Sequence, residues 1–128
     1  MQPASLSQLV SFFFSMSGRA SRQEYFLGMA FLFTLNAALI NLVIGQAAAG
    51  SAGVDLASLS AAVLISLPFL PSQFFIGIRR CHDIGLPGLF VLLFLVPIFG
   101  VLWLIALAVI PGSPDANRYG PAPQFHPE

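Results

Sequence analysis

The stretch IGIRRCHDIGLPG, residues 76–88, sets Arg79, Arg80, His82 and Asp83 inside one of the most apolar parts of a 128-residue chain. Forked guanidinium donors, an imidazole that titrates near neutrality and a carboxylate are groups that hold anions, move protons or bind metal. On a helix Arg79 and Asp83 lie four apart on one face, with His82 on the same side of Arg79 at a spacing of three, so these side chains can pair. Gly85 is a natural left-handed helix stop and Pro87 a natural helix start, so the same residues also describe the polar end of one helix and the beginning of another. Two readings follow. In one the cluster is a cap and charge anchor. In the other Arg79, Arg80, His82 and Asp83 join Arg19, Arg22 and Arg118 in a pocket for an anionic head group or a small acid.

Catalysis fits these residues poorly. Cys81 and His82 are sequence neighbours, and neighbours on a helix point about 100° apart, the wrong geometry for a nucleophile and its base. His82 and Asp83 do not make a metal site alone, and the other histidine, His126, lies in the tail. The chain is therefore read as a non-enzyme with no metal and no cofactor. Its single cysteine excludes an intrachain disulfide and thiolate clusters.

The elements that must position this cluster are written in the hydropathy. The chain is 57% hydrophobic and 8% charged, with thirteen phenylalanines, too little polarity to coat a soluble fold. Three segments, 25–45, 56–78 and 89–110, reach the roughly 20 apolar residues that cross about 30 Å of hydrocarbon as helix. The fold expected is an all-α membrane protein, one domain over 1–128. A short helix at 6–16, too short to span, is expected to lie along the interface, and 111–128, rich in proline and glycine, reads as an irregular surface tail. The opening MQPASLSQ lacks the basic region of a secretory signal, so an uncleaved first span is expected.

All five basic residues are arginine, balanced by five acids, which leaves no surplus to grip a nucleic-acid backbone. Arg19 and Arg22 precede the first span and Arg79 and Arg80 close the second, while the 46–55 loop has no basic residue. The positive-inside bias places the N-terminus and the 79–88 loop in the cytoplasm. For 89–110, length favours a full crossing that would put Arg118 outside; Pro97 and Gly100 near its middle also permit a re-entrant hairpin.

Ser21 to Glu24, SRQE, matches a capping box at the start of the first span. Deeper in the spans, Asn36, Asn41 and Gln73 need partners, because unpaired polar groups are costly in hydrocarbon. Pro68 frees the carbonyl of Leu64 and Pro71 that of Leu67, and Asn36 is expected to donate to one of them and lock the first two helices together. Gly28 and Ala38 mark surfaces that can meet other helices, from a second copy or another membrane protein.

Three stretches, SGRASRQEYF at 17–26, GIRRCHDIGLPG at 77–88 and PGSPDANRYG at 111–120, resemble in order and spacing the bacterial inner-membrane family called domain of unknown function 805 (DUF805). Its pattern falls here on Gly18, Arg19, Arg22, Glu24 and Tyr25, then Arg79, Arg80, His82 and Asp83, then Asn117, Arg118, Tyr119 and Gly120. The chain departs at Cys81, where the family often has leucine, and at LPGL, where a Ser-Gly-Trp-like turn is common. The resemblance implies an inner-membrane location and one cluster drawn from all three motifs, which would favour a cytoplasmic tail. It implies no substrate or reaction. A structural or partner-binding membrane protein is the function expected, with an anion or lipid-head-group binder as the alternative.

Overall fold

The computed structural model describes residues 5–50 and 53–123. Its helices are α1 (Leu6–Phe14), α2 (Arg22–Ala49), α3 (Leu56–Ser66), α4 (Phe69–Asp83), a 3-10 helix (Gly88–Leu95) and α5 (Phe99–Val109), with no strand among the described residues. Three helices open on reciprocal side-chain caps. Ser21 accepts from the Glu24 N–H while Glu24 accepts from the Ser21 N–H, as expected; Ser5 with Gln8 and Asp55 with Ser58 repeat the device at α1 and α3. At the Asp55 cap, the bonds from Ser58 hold the carboxyl below its ordinary pKa.

Two helical stretches are long and apolar enough to cross a bilayer: Arg22–Ala49 and Leu56–Asp83, 28 residues each. At 1.5 Å per residue each extends about 42 Å, more than the hydrocarbon thickness. The second is not one smooth helix. Pro68 has no N–H to give, so the ladder breaks between Ser66 and Phe69, and the freed carbonyls take tighter partners: Leu67 N–H donates to Leu64 at 3.4 Å and Leu70 N–H to Leu67 at 3.3 Å. These bonds correct the expected role of Asn36, since the carbonyls released by Pro68 and Pro71 are already occupied. Asn36 still links the first two long elements, but it accepts from the Ser66 hydroxyl at 3.1 Å.

The segment 89–110 is not one continuous helix. It is two short legs joined by a sharp bend at Val96–Ile98. The first leg is a 3-10 helix, in which every third side chain lines up. That alignment stacks Gly88, Val91 and Phe94 in one ridge against α4: a Cβ on Gly88 would meet Ile78, and one on Gly77 would meet both Val91 and Phe94. The return leg, α5, brings Tyr25 of α2 within 3.3 Å of the Leu104 carbonyl. At about 2.0 and 1.5 Å per residue, the eight- and eleven-residue legs are each about 16 Å long, half a membrane's hydrocarbon depth.

The bend closes on itself. Ile98 has φ 69° and ψ −58°, a γ-turn in which Phe99 N–H donates to the Pro97 carbonyl at 2.8 Å. A β-branched residue is strained there. The conformation lets the carbonyls of Val96, Pro97 and Ile98 all accept backbone bonds, while Pro97 brings no N–H to bury. Gly100 sits so close beneath that an added Cβ would lie 2.7 Å from the Phe94 carbonyl oxygen.

The core is narrow: Tyr25, Met29 and Leu32 of α2, Ile76 and Cys81 of α4, and Leu107 of α5. Most large apolar side chains face outward, Leu56, Val63, Phe99 and Val101 among them, as expected of a surface that meets lipid. Gly28 proves to be internal, closed over by Ile76 and Phe12, so it is not a docking point for a second copy; Ala38 is exposed.

Two substitutions test this packing. Gly100→Ala should destabilise the protein by about 1–3 kcal/mol through overpacking at the bend. Ser66→Ala should cost about 0.6–2 kcal/mol, the usual worth of an interhelical bond in a membrane. Thermal unfolding in mild detergent reads both, and an unchanged midpoint for Gly100→Ala would contradict the close approach.

Candidate functional site

The polar cluster forms where α4 ends. The last turn of α4 finishes in a Schellman motif: Gly85, at φ 80°, donates to the His82 carbonyl and Leu86 N–H to the Cys81 carbonyl at 2.9 Å. This stop leaves Asp83 pointing inward, where its carboxylate is fully buried and receives two guanidinium groups. Arg19 Nε donates to Oδ1 at 3.0 Å and its NH2 lies 2.9 Å from the same oxygen, while Arg80 NH1 pairs with Oδ2. Arg80 and Asp83 are 0% exposed and Arg19 is 6% exposed.

Two guanidinium groups against one carboxylate leave a buried positive charge, which backbone oxygens absorb. Arg80 Nε donates to Leu107 at 2.8 Å, NH1 to Ala20 at 3.2 Å and NH2 to Ile110. Leu107 belongs to the last turn of α5, whose final carbonyls have no helical donor and carry the negative end of the helix dipole. Arg19 NH1 donates to Asp115 at 2.7 Å and its NH2 to Ser113. The tail thereby becomes part of the site. Ser113 N–H also donates to the Asp83 carbonyl at 2.8 Å, and Gly112 runs so close to the carboxylate that a Cβ there would overlap Oδ2.

The remaining residues divide around this core. Asp83 pairs with Arg80 at a spacing of three, not with Arg79 as the spacing of four suggested. Arg79 instead turns toward α1, where its NH1 donates to the Phe12 carbonyl at 2.8 Å and its guanidinium sits 4.9 Å from the Phe12 ring centre. Helix α1 ends at Phe14, so the Phe12 carbonyl is one of those its own helix cannot satisfy. The short N-terminal helix is thus fastened to α4.

His82 and the third motif form an outer layer. His82 Nδ1 lies 3.1 Å from the Gly18 carbonyl, and its ring stacks on Tyr119 at 3.9 Å and 6°. Asn117 donates to the His82 carbonyl at 2.9 Å, and Asn117 and Gly120 exchange backbone bonds at 3.0 Å. The tail, irregular as expected, is seated on the end of α4 as far as Gly120; residues 124–128, with His126, lie outside the described residues. Arg118 rests over Tyr119 at 4.8 Å and stays exposed. Glu24 is used in its cap, and Arg22 is exposed outside the network.

The arrangement binds protein to protein. Every nitrogen of Arg19 and Arg80 and both oxygens of Asp83 are engaged within the chain, so the core of the cluster has no group left for an external anion. Sequence reasoning missed the acceptors Leu107, Ile110, Ser113 and Asp115, because a backbone carbonyl has no residue-type signature. It also missed Gly112, whose PGSP context read only as a turn.

Removing one partner of a buried ion pair costs about 3–5 kcal/mol. Asp83→Asn, which strands two buried guanidinium groups, should therefore lose most of the detergent-extractable folded protein. Gly112→Ala should do comparable damage although it alters no charge. Size-exclusion profiles and melting temperatures measure both, and wild-type behaviour of Gly112→Ala would refute the carboxylate's position.

A family model described as "Protein of unknown function (DUF805)" matches residues 13–121. Inner membrane protein YhaH of Escherichia coli (strain K12) is 35% identical over 112 residues, 86% of this chain and 88% of that one. Inner membrane protein YhaI of the same strain is 38% identical over 109 residues, 85% of this chain and 86% of its own length. No solved structure matches.

Proposed function

The chain belongs to the DUF805 family and is an inner-membrane protein, and from that premise we propose that it is a non-catalytic membrane scaffold that presents its apolar faces to lipid and to other membrane helices. In this reading α2 and the α3–α4 stretch cross the bilayer, while the 3-10 helix and α5 enter and leave it from one face. The N-terminus and the tail are both cytoplasmic.

One observation carries the reading: Arg19, which precedes the first crossing, bonds to Asp83, which ends the second, and to Ser113 and Asp115, which follow the third segment. Groups within hydrogen-bond distance occupy one side of a membrane. The two legs of about 16 Å are too short for either to cross alone, and the closed bend at Pro97–Ile98 suits a turn made inside the hydrocarbon. Four arginines gathered at this end favour the cytoplasmic side.

A non-catalytic role is supported by how the reactive groups are spent. Asp83 is held by two guanidinium groups, and Cys81 is fully buried while its neighbour His82 is only half-buried. With nucleic acid disfavoured by the neutral charge balance, the partners proposed are lipids and membrane proteins, a second copy included.

Reporter fusions after the last residue test the topology. Green fluorescent protein should fluoresce there and alkaline phosphatase should be inactive; the opposite pattern would mean a third crossing and would overturn the reading.

A further inference from the structure

One arginine of the cytoplasmic-end group takes no part in the buried network. Arg22 sits in the first turn of α2, exposed, and enters neither of the ion pairs among the described residues. It lines an open groove of about 610 Å³ together with Gln23, Phe26, Leu27 and Ala108. The groove is ordered by depth. Arg22 and Phe26 are four apart on one helix face, as are Gln23 and Leu27, so two polar side chains stand one helical turn above two apolar ones. Opposite them, α5 presents Ala108, and its short side chain leaves the gap open.

The electrostatics select the sign of the occupant. Arg19, Arg22, Arg79, Arg80 and Arg118 gather at this end against Glu24, Asp83 and Asp115; Asp83 is doubly paired and Glu24 accepts from the Ser21 N–H. The excess positive charge has one exposed outlet on the groove, the Arg22 guanidinium, beside the first turn of α2, where the helix dipole adds to the attraction for anions. A forked guanidinium matches the oxygens of a phosphate diester. The apolar floor, one turn closer to the membrane interior, matches an acyl chain.

We propose that the Arg22 groove is a binding site for an anionic glycerophospholipid of the cytoplasmic leaflet. The phosphate and acidic head group lie at Arg22 and Gln23, and one acyl chain runs along Phe26 and Leu27 past Ala108. The site is distinct from the Arg19–Asp83–Arg80 network, which holds the fold and is filled. The proposal rests on the membrane orientation given above but not on the scaffold role, and the topology reporters would read the same whether or not lipid binds.

Native mass spectrometry of the full-length protein in mild detergent tests it, with phosphatidylglycerol and phosphatidylcholine of identical chains added at equal concentration. The wild type should retain phosphatidylglycerol at least about fivefold over phosphatidylcholine, a difference of about 1 kcal/mol. Arg22→Gln should bring the two lipids level, and Arg118→Gln, which removes the other exposed arginine, should leave the preference intact. Leu27→Gln should weaken phosphatidylglycerol retention with Arg22 still present, whereas inorganic phosphate at millimolar concentration should not displace the lipid. Equal retention of both lipids by the wild type, an unchanged preference in Arg22→Gln, or an equal loss in Arg118→Gln would overturn the proposal. Displacement by free phosphate would also overturn it, as a site for a soluble anion. Melting temperatures of the variants, expected within a few degrees of wild type because both arginines are exposed, separate loss of lipid from loss of fold.

Discussion

The Asp83 carboxylate, held between Arg19 and Arg80, is the interaction on which the rest of this structure depends. Burying three ionised groups is expensive, and the cost is met only because nearly every donor and acceptor finds a partner. Those partners come from the start of α2, the end of α4, the last turn of α5 and the tail, so one ionic knot ties four separate pieces of chain to one end of the bundle. Apolar packing cannot supply this alone in lipid, where hydrocarbon chains solvate leucine and phenylalanine as well as a neighbouring helix does. The narrowness of the core is consistent with that division of labour.

From this knot follows the course of the third segment. Once Leu107 and Ile110 are bound by Arg80, the segment that left α4 at Gly85 must come back to where it began. A backbone that doubles back among apolar side chains has to satisfy its polar groups within the chain. The γ-turn at Ile98, the proline before it and the glycine two residues later meet that demand, at the expense of strain in a β-branched residue. The 3-10 leg, with its ridge of Gly88, Val91 and Phe94, lets the hairpin pack closely on Gly77 of α4.

The motif residues shared with the DUF805 family thus separate by physical role. Arg19, Arg80, Asp83 and Asn117 join elements to one another; Gly18 supplies positive φ where the chain turns into α2. Arg22 faces outward, and so does Arg118, which lies over the Tyr119 ring and donates to the Gly85 carbonyl. A cluster that reads in sequence as one set of seven charged or titratable residues is, in three dimensions, a sealed core with a half-exposed rim.

Much was legible without coordinates, because it depends on neighbours in sequence. The positions of the two long helices follow from apolar runs, although both extend beyond the 25–45 and 56–78 expected, the carbonyl freed at Leu64 from the missing N–H of Pro68, the capping box from SRQE and the end of α4 from Gly85. Even the bend in 89–110 left its mark as Pro97 and Gly100, though length alone pointed to a crossing. What only the tertiary structure decided was pairing across distance. Asp83 chose Arg19, 64 residues away, and Arg80 over Arg79, with the Phe12 carbonyl of α1 accepting from Arg79 and the Leu107 carbonyl of α5 from Arg80. Any residue can present a carbonyl, so no residue type announces one; sequence determined which guanidinium groups needed partners, and only the fold could say where those partners would be.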